Sequence, residues 1–307
     1  MKSSQSNIKK AKNYLVKNHC VAVPTETVYG LAGNAYSDIS VKKIFKLKKR
    51  SMNNPLIVHY YNINRLKSDC YINNNFIKLY NKLSPGPITF ILKLKKKSKI
   101  SKFVNCQNKN LAVRFPKHPL FRKLLKNLDF PLAAPSANMS TRLSSVQVSD
   151  VSDEFGSKIK YILNGGKCKI GLESTIVNLT SRPSLLRFGG LDISKIEKVL
   201  KKKILININS KSKKKMAPGQ FSLHYSPGIP LRRNVKIPKK KEAFLLIKKR
   251  KYTLKDYYYL SKKKNLNEVA KNLYSMMRKI KKKGYKMIAI EKIPNIGIGK
   301  TINDRLN

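Results

Sequence analysis

CVAVPTETVYGLAG, residues 20–33, opens on a short apolar run that Pro24 ends, after which hydroxyl and acidic side chains precede the glycines. The CVAVP run reads as a buried strand, and proline closes it because it brings no N–H to the ladder. A polar loop directly after a buried strand is how an α/β sheet presents a ligand edge at the carboxyl ends of its strands. Thr25, Glu26 and Thr27 put two hydroxyls and a carboxylate there. An ordinary polar turn is the plainer reading of the same segment.

Outward from this stretch, the periodicity predicts alternating elements. Residues 4–18 read as a helix with Ile8, Ala11, Leu15 and Val16 on one side. Asp38 is expected to N-cap a helix running to about Lys49. PLIVH (55–59), TFILKL (89–94), LAVRFP (111–116) and PLAAP (131–135) read as strands, with helices over 75–83 and 118–127 between them. YILNG, STIVNLT and SLLRF are three further strands before a helix at about 192–202. Alternation that gives way to a strand-rich stretch argues for a twisted mixed α/β sheet with flanking helices. Lys201 to Met216 is rich in lysine and asparagine without a period and reads as a linker. EAFLLI, DYYYL and KMIAIEK then read as strands, and Asn265 to Lys282 as a helix with Leu266, Val269, Leu273, Met276 and Met277 on one face. Three units are expected: residues 1–200, a linker and lid over 201–229, and a small α/β domain over 230–307.

The chain has 307 residues, 41% of them hydrophobic, enough for packed cores and long for one domain. No run of about 18 apolar residues occurs, so no membrane span is expected, and the basic start lacks the apolar segment of a signal peptide. Four cysteines without CxxC spacing fit free thiols in a reducing cytoplasm. No histidine spacing suits a protein-ligated metal. The net charge is +52, with 55 lysines and 12 arginines against 15 acids. Sequence-specific nucleic-acid readers lean on arginine's planar fork, so lysine-dominated charge reads first as solvated surface, alongside abundant Asn, Ile and Tyr. Salt-sensitive, non-specific contact with tRNA or another polyanion is expected nonetheless.

Five more segments carry candidate chemistry. In KKRSMNNPLIVH (48–59), Lys48 and Arg50 either complement a helix dipole or neutralise phosphates beside the sheet edge. His59 ends the strand, where a structural role is as ready an explanation. Arg114 interrupts an apolar strand and needs a partner, because an unpaired buried charge is costly. That partner is an internal acid or a bound carboxylate, and the residues leave both open. PLAAPSANMSTRLSS (131–145) runs a strand into Ser136, Asn138 and Ser144, donors suited to phosphate or adenine. GLESTIVNL (171–179) sets Glu173, Ser174 and Thr175 at a strand start, and in LLRFGG (185–190) Arg187 ends a strand. No G-x-x-x-x-G-K-[ST] occurs. The near miss PNIGIGKT (294–301) has Pro294 at the first glycine position, where the cradle needs an N–H.

Together these segments resemble the YrdC-like threonylcarbamoyl-AMP synthases over about residues 5–200, since PTETVYGL, K-x-R…NPLIVH, PGPITFIL, AVRFP, APSAN and G-x-ESTIV follow in family order. APGQFSLHYSP (217–227) resembles the linker motif of the longer, two-domain branch, whose tail is a small Rossmann-like domain. The resemblance implies an enzyme, a nucleotidyltransferase joining L-threonine, bicarbonate and ATP into threonylcarbamoyl-AMP and pyrophosphate, for tRNA threonylcarbamoyl-transfer proteins downstream. It implies that Thr27, His59, Arg114, Ala134 and Ser174 hold threonine. It implies that Lys48, Arg50, Asn54, Asn110, Ser136, Asn138, Ser144, Arg187 and Tyr225 hold ATP, with Lys48 and Arg50 the catalytic cations and Mg2+ riding on the phosphates. Ser51, Asn110 and Phe188 depart from the family pattern, as do Gln220, Phe221, Ser222 and Leu223 in the linker motif, where a lysine is expected. The rival readings are a non-enzymatic RNA-binding protein on the same fold and a carbamoyl-adenylate step of hydrogenase maturation. The second would need modules for which this length and cysteine spacing leave no room.

Overall fold

A computed structural model describes residues 2–208, 225–251 and 254–307. The first part carries α1 (Lys2–Val16), β1 (Val21–Val23), β2 (Gly30–Asn34), α2 (Asp38–Lys48), β3 (Ile57–His59), α3 (Ile63–Leu66), α4 (Asn74–Leu83), β4 (Ile88–Lys93) and β5 (Asn110–Arg114). It continues through α5 (Pro119–Lys126), β6 (Leu132–Ala133), α6 (Val148–Phe155), β7 (Tyr161–Ile162), β8 (Thr175–Asn178), β9 (Ser184–Arg187), α7 (Ile193–Leu200) and β10 (Leu205–Ile206). Among the described residues these strands form one ten-stranded sheet, ordered β10-β9-β8-β4-β5-β3-β6-β2-β1-β7. It is mixed, as expected: β3 runs parallel to β5, and β4 antiparallel to β5.

The remainder is β11 (Leu231–Arg232), β12 (Ala243–Leu246), β13 (Tyr257–Tyr259), α8 (Leu266–Lys282), β14 (Ile288–Ile290) and α9 (Ile298–Leu306). Its four strands pair in parallel in the order β11-β14-β12-β13. A parallel sheet needs crossovers, and α8 supplies the one into β14. The apolar face foreseen for α8 is buried through Val269, Leu273 and Met277, and Asn265 caps it by accepting from the N–H groups of Asn267 and Glu268.

Two expectations need correction. Ser37, not Asp38, is the N-cap of α2; its side chain accepts from Ser40 N–H, and Asp38 is the first-turn acid beside the positive helix end. The second half of the Pro24–Gly33 loop is strand: Gly30–Asn34 pairs antiparallel with β1. Its two glycines hid it. At Gly33 a Cβ would come within 3.1 Å of Ile44 and Ser40, so the strand and α2 pack too closely for a side chain. In addition, β10 lies within the stretch read as linker and pairs parallel with β9. The lid motif residues Gln220, Phe221, Ser222 and Leu223 lie outside the described residues.

The period-2 alternation of the central strands builds the site. Val58, Phe90, Val113, Val177 and Leu185 point into the main core, while Ile57, Ile91, Ala112, Ile176 and Leu186 make a small apolar cluster on the other face. His59 follows Ile57 by two residues and Arg114 follows Ala112 by two. Both therefore stand on that second face, paired side by side at the carboxyl ends of two parallel strands.

Candidate active site

A cleft of about 700 Å³, counted to its open mouth, lies over those strand ends. Lys48, Arg50, Arg114, Arg142 and Arg187 line it against one carboxylate, Glu173. Of the residues singled out in the sequence, His59, Ala134, Ser136, Asn138, Ser144, Ser174 and Tyr225 also line it. Thr27 stands behind the wall, its hydroxyl accepting from Arg114 Nη2 at 2.9 Å. Asn54 accepts from Arg50 through its side chain and backbone carbonyls and does not line the cleft. Asn110 does not line it either, sitting at the opposite end of β5, roughly 13 Å along the strand from Arg114.

The partner of Arg114 is now visible. Its Nη2 donates to Glu26 Oε1 at 2.7 Å, with both side chains buried. Glu26 in turn accepts from Lys117 N–H at 2.9 Å, and Arg114 beside it outweighs burial and holds its carboxyl below the ordinary 4.5. The internal acid is thus real, yet it leaves Arg114 incompletely used, because Arg114 Nε is buried without a hydrogen-bond partner. His59 Nδ1 and Asn138 Oδ1 are in the same condition. Burial, then the Arg114 charge, pushes His59 down from 6.5 to about 3, so its imidazole is neutral at ordinary pH.

The phosphate-type cations are held firmly. Lys48 is buried and its ammonium donates to the carbonyls of Ser136, at 2.6 Å, and Asn138. That contact ties the end of α2 to the PSAN segment. Burial and the Arg50 charge lower Lys48 well below 10.5. Arg50 also donates to Pro55 O at 2.9 Å, and burial lowers it to about 10. Arg187 grips Ser174, donating to its carbonyl at 2.8 Å and its hydroxyl at 3.2 Å, while Ser174 and Thr89 share a 2.7 Å hydroxyl contact. Desolvation of these groups is costly unless an anion repays it in the cleft.

Sequence reasoning noted Glu173 without giving it a role, and had no signal for its partners. Ser144 Oγ donates to Glu173 Oε1 at 2.5 Å. Arg305, from α9, donates through Nε to Glu173 Oε2 at 2.7 Å and through Nη2 to Phe188 O at 2.7 Å. The Arg305 guanidinium lies 4.5 Å from the Tyr225 ring centroid, and Tyr225 stacks on Tyr274 of α8 at 6.2 Å. The small domain therefore backs the cleft wall, bracing Glu173 and Tyr225 from behind. Just past Tyr225, Ser226 N–H donates to Thr141 O at 2.8 Å, seating the chain against the rim.

Three of the four cysteines are buried and all are free, as the sequence suggested. Among the described residues no cluster of His, Cys, Asp or Glu suits a metal ion, and no helix is long and apolar enough to cross a membrane. PNIGIGKT is not a phosphate loop: its Gly299 and Lys300 N–H groups bond to Ile296 and Gly297 carbonyls within the turn. Gly299 is required instead because a Cβ would collide with Pro294 O.

Comparison with known proteins places the whole chain. The Sua5_yciO_yrdC family model, described as "Telomere recombination", matches residues 13–189, and "Threonylcarbamoyl-AMP synthase, C-terminal domain" matches residues 191–307. Threonylcarbamoyl-AMP synthase of Pyrococcus abyssi is 33% identical over 97% of this chain and 92% of the relative, and that of Bacillus subtilis 31% identical over 100% and 93%. The crystal structure of P. abyssi Sua5 complexed with L-threonine superposes with a TM-score of 0.89 at 31% identity, covering 97% of this chain and 92% of that one. This chain belongs to the Sua5/YciO/YrdC family, in the two-domain form whose second part is the threonylcarbamoyl-AMP synthase C-terminal domain.

Proposed function

We propose that the protein is an L-threonylcarbamoyladenylate synthase, a nucleotidyltransferase that makes threonylcarbamoyl-AMP and pyrophosphate from L-threonine, bicarbonate and ATP in the cytoplasm. The observation that carries this reading is the trio of buried, unpartnered polar atoms, Arg114 Nε, His59 Nδ1 and Asn138 Oδ1, on residues of a cleft walled by five cations. Buried polar atoms are rarely left orphaned. A small ligand with an anionic end and hydrogen-bonding groups would satisfy them.

In this reading the threonine α-carboxylate pairs with Arg114, whose Glu26 contact fixes the guanidinium without consuming all its donors. Neutral His59 faces the amino acid without adding charge, and Ala134, Ser174 and Thr27 complete that end. Threonine's amine and bicarbonate form N-carboxy-threonine with loss of water. A carbamate oxygen then bonds to the ATP α-phosphorus as the bond from that phosphorus to the bridging oxygen breaks, and pyrophosphate leaves. In-line displacement needs positioning and charge neutralisation more than a covalent nucleophile. Lys48, Arg50 and Arg187 supply the charge, with Ser136, Asn138 and Ser144 around the nucleotide and Asn54 steadying Arg50 from outside the cleft. Ser144 has its hydroxyl proton on Glu173, so it meets ATP as an acceptor, which suits a ribose hydroxyl or the adenine amine. Tyr225 covers the site, and exclusion of water protects a mixed anhydride.

Magnesium would enter with ATP. The cleft offers it Glu173 alone, already engaged by Ser144 and Arg305. That donor set fits an ion carried on phosphates with few protein ligands, and Mg2+ binds in that manner at many nucleotide sites. The product would pass to tRNA threonylcarbamoyl-transfer proteins. The test is pyrophosphate release from ATP and Mg2+ with and without L-threonine and bicarbonate. Release that requires both co-substrates is the expected result. Release indifferent to threonine, from folded protein, would refute the assignment.

A further inference from the structure

The small parallel sheet has a second concave site that the reaction above leaves unused. The chain leaves β12 for β13 on one side, then returns through α8 to β14 on the other side of β12. As adjacent parallel strands, β12 and β14 end at the same edge of the sheet, and the carboxyl edge is where open α/β sheets form ligand crevices. An open crevice of about 1210 Å³ lies there, lined by residues that follow those strands, Ile247 to Lys251 after one and Glu291, Lys292 and Pro294 after the other.

Its walls are cationic. Lys248, Lys249, Arg250, Lys251, Lys264 and Lys292 converge on it from three separate stretches of chain. The one carboxylate, Glu291, is occupied at the floor, where it accepts from Ile247 N–H and so clamps β12 to β14. Arg250 is ordered by stacking, 5.6 Å from the Phe244 ring centroid and 5.8 Å from that of Tyr257. Solvated lysines on a convex face keep apart, whereas six cations around a concavity repel one another unless a counter-anion joins them. A nucleic-acid backbone would call for cations strung along a track. Here they ring a single pocket.

We propose that this crevice is a second anion site that takes a small polyphosphate, such as a free nucleotide or pyrophosphate, independently of the cleft. The contacts assigned to the anion are those of the cationic side chains; the N–H groups of Gly299 and Lys300 are used within their own turn. Calorimetric titration of the full chain with ATP and Mg2+ at about 0.15 M salt, where exposed charges are screened beyond ~8 Å, tests it. The parent should bind two equivalents. Lys249→Glu/Lys292→Glu should weaken one of them at least tenfold while threonine-dependent pyrophosphate release is kept. Lys9→Glu/Lys17→Glu, an equal charge change elsewhere, should retain both, and Arg50→Ala should keep the crevice's equivalent. A single equivalent in the parent, or two undiminished equivalents in the crevice variant, overturns the proposal. So does a crevice variant that loses affinity for an RNA oligonucleotide but not for ATP. Failure of the synthase reading would show separately, as release indifferent to threonine.

Discussion

Arg114 is the residue on which the site turns. Its Glu26 contact fixes it, and its unpartnered Nε gives it something to bind. Arg114→Ala should weaken threonine binding by about a hundredfold, the usual cost of breaking a buried charge pair, with ATP binding largely kept; equal threonine affinity in variant and parent would refute the role. The sequence showed that this arginine needed a partner but left two candidates, because Glu26 is 88 residues away and only the sheet brings them together. His59 makes a second prediction. The unfolded chain takes up its proton near 6.5, whereas the folded chain refuses it until about 3. The unfolded state thus binds more protons in that window, and stability falls as pH is lowered through it, by roughly 4 kcal/mol at pH 3.5 for this one group. Glu26 and Glu173, both held below 4.5, add their own loss as pH falls through their depressed values. Denaturant unfolding between pH 7 and 4.5 should show the His59 slope, and His59→Asn should flatten it. An unchanged slope would mean that the imidazole is not held neutral.

The decisive elements are β3 and β5 on one side and α9 on the other. The strands were legible because each is a short, continuous apolar run, the mark of a strand buried on both faces, ending in a polar residue, His59 or Arg114. In α9 it was the role of Arg305 that the sequence concealed. Nothing local in GKTINDRL distinguishes an arginine that is fully buried against Glu173 from a solvated one. Arg305→Ala should cost about 3–5 kcal/mol, because it strips Glu173 of a buried partner. It should also loosen Tyr225 and raise the KM for ATP. An unaltered unfolding midpoint would show the ion pair to be dispensable. Tyr225→Phe keeps the ring between Tyr274 and Arg305. A defect milder than that of Arg114→Ala is expected in pyrophosphate release, and a total loss would assign the phenol oxygen a direct role.

At the scale of the whole molecule, a single apolar cluster includes buried residues of both sheets, among them Val58 and Val113 of the large one and Leu245 and Ile288 of the small one. The parts meet through this shared cluster and the Arg305–Glu173 contact behind the cleft wall rather than through a linker alone. The +52 charge acts here as well: retention of bulk tRNA should fall steeply between about 50 and 200 mM salt, as counterion release dictates. Retention indifferent to salt would point to base-specific contacts. By itself the sequence determined the mixed α/β class, the order of the motif-bearing strands and most of the cleft's side chains, because short apolar runs and their polar ends are local properties of the chain. The glycine-bearing strand Gly30–Asn34, the Glu26 partner of Arg114, the Arg305–Glu173 clamp and the lysine-ringed crevice were decided only in the tertiary structure. Each depends on groups far apart in sequence meeting in a space that burial makes costly to leave unpaired, and no local pattern records who the partner will be.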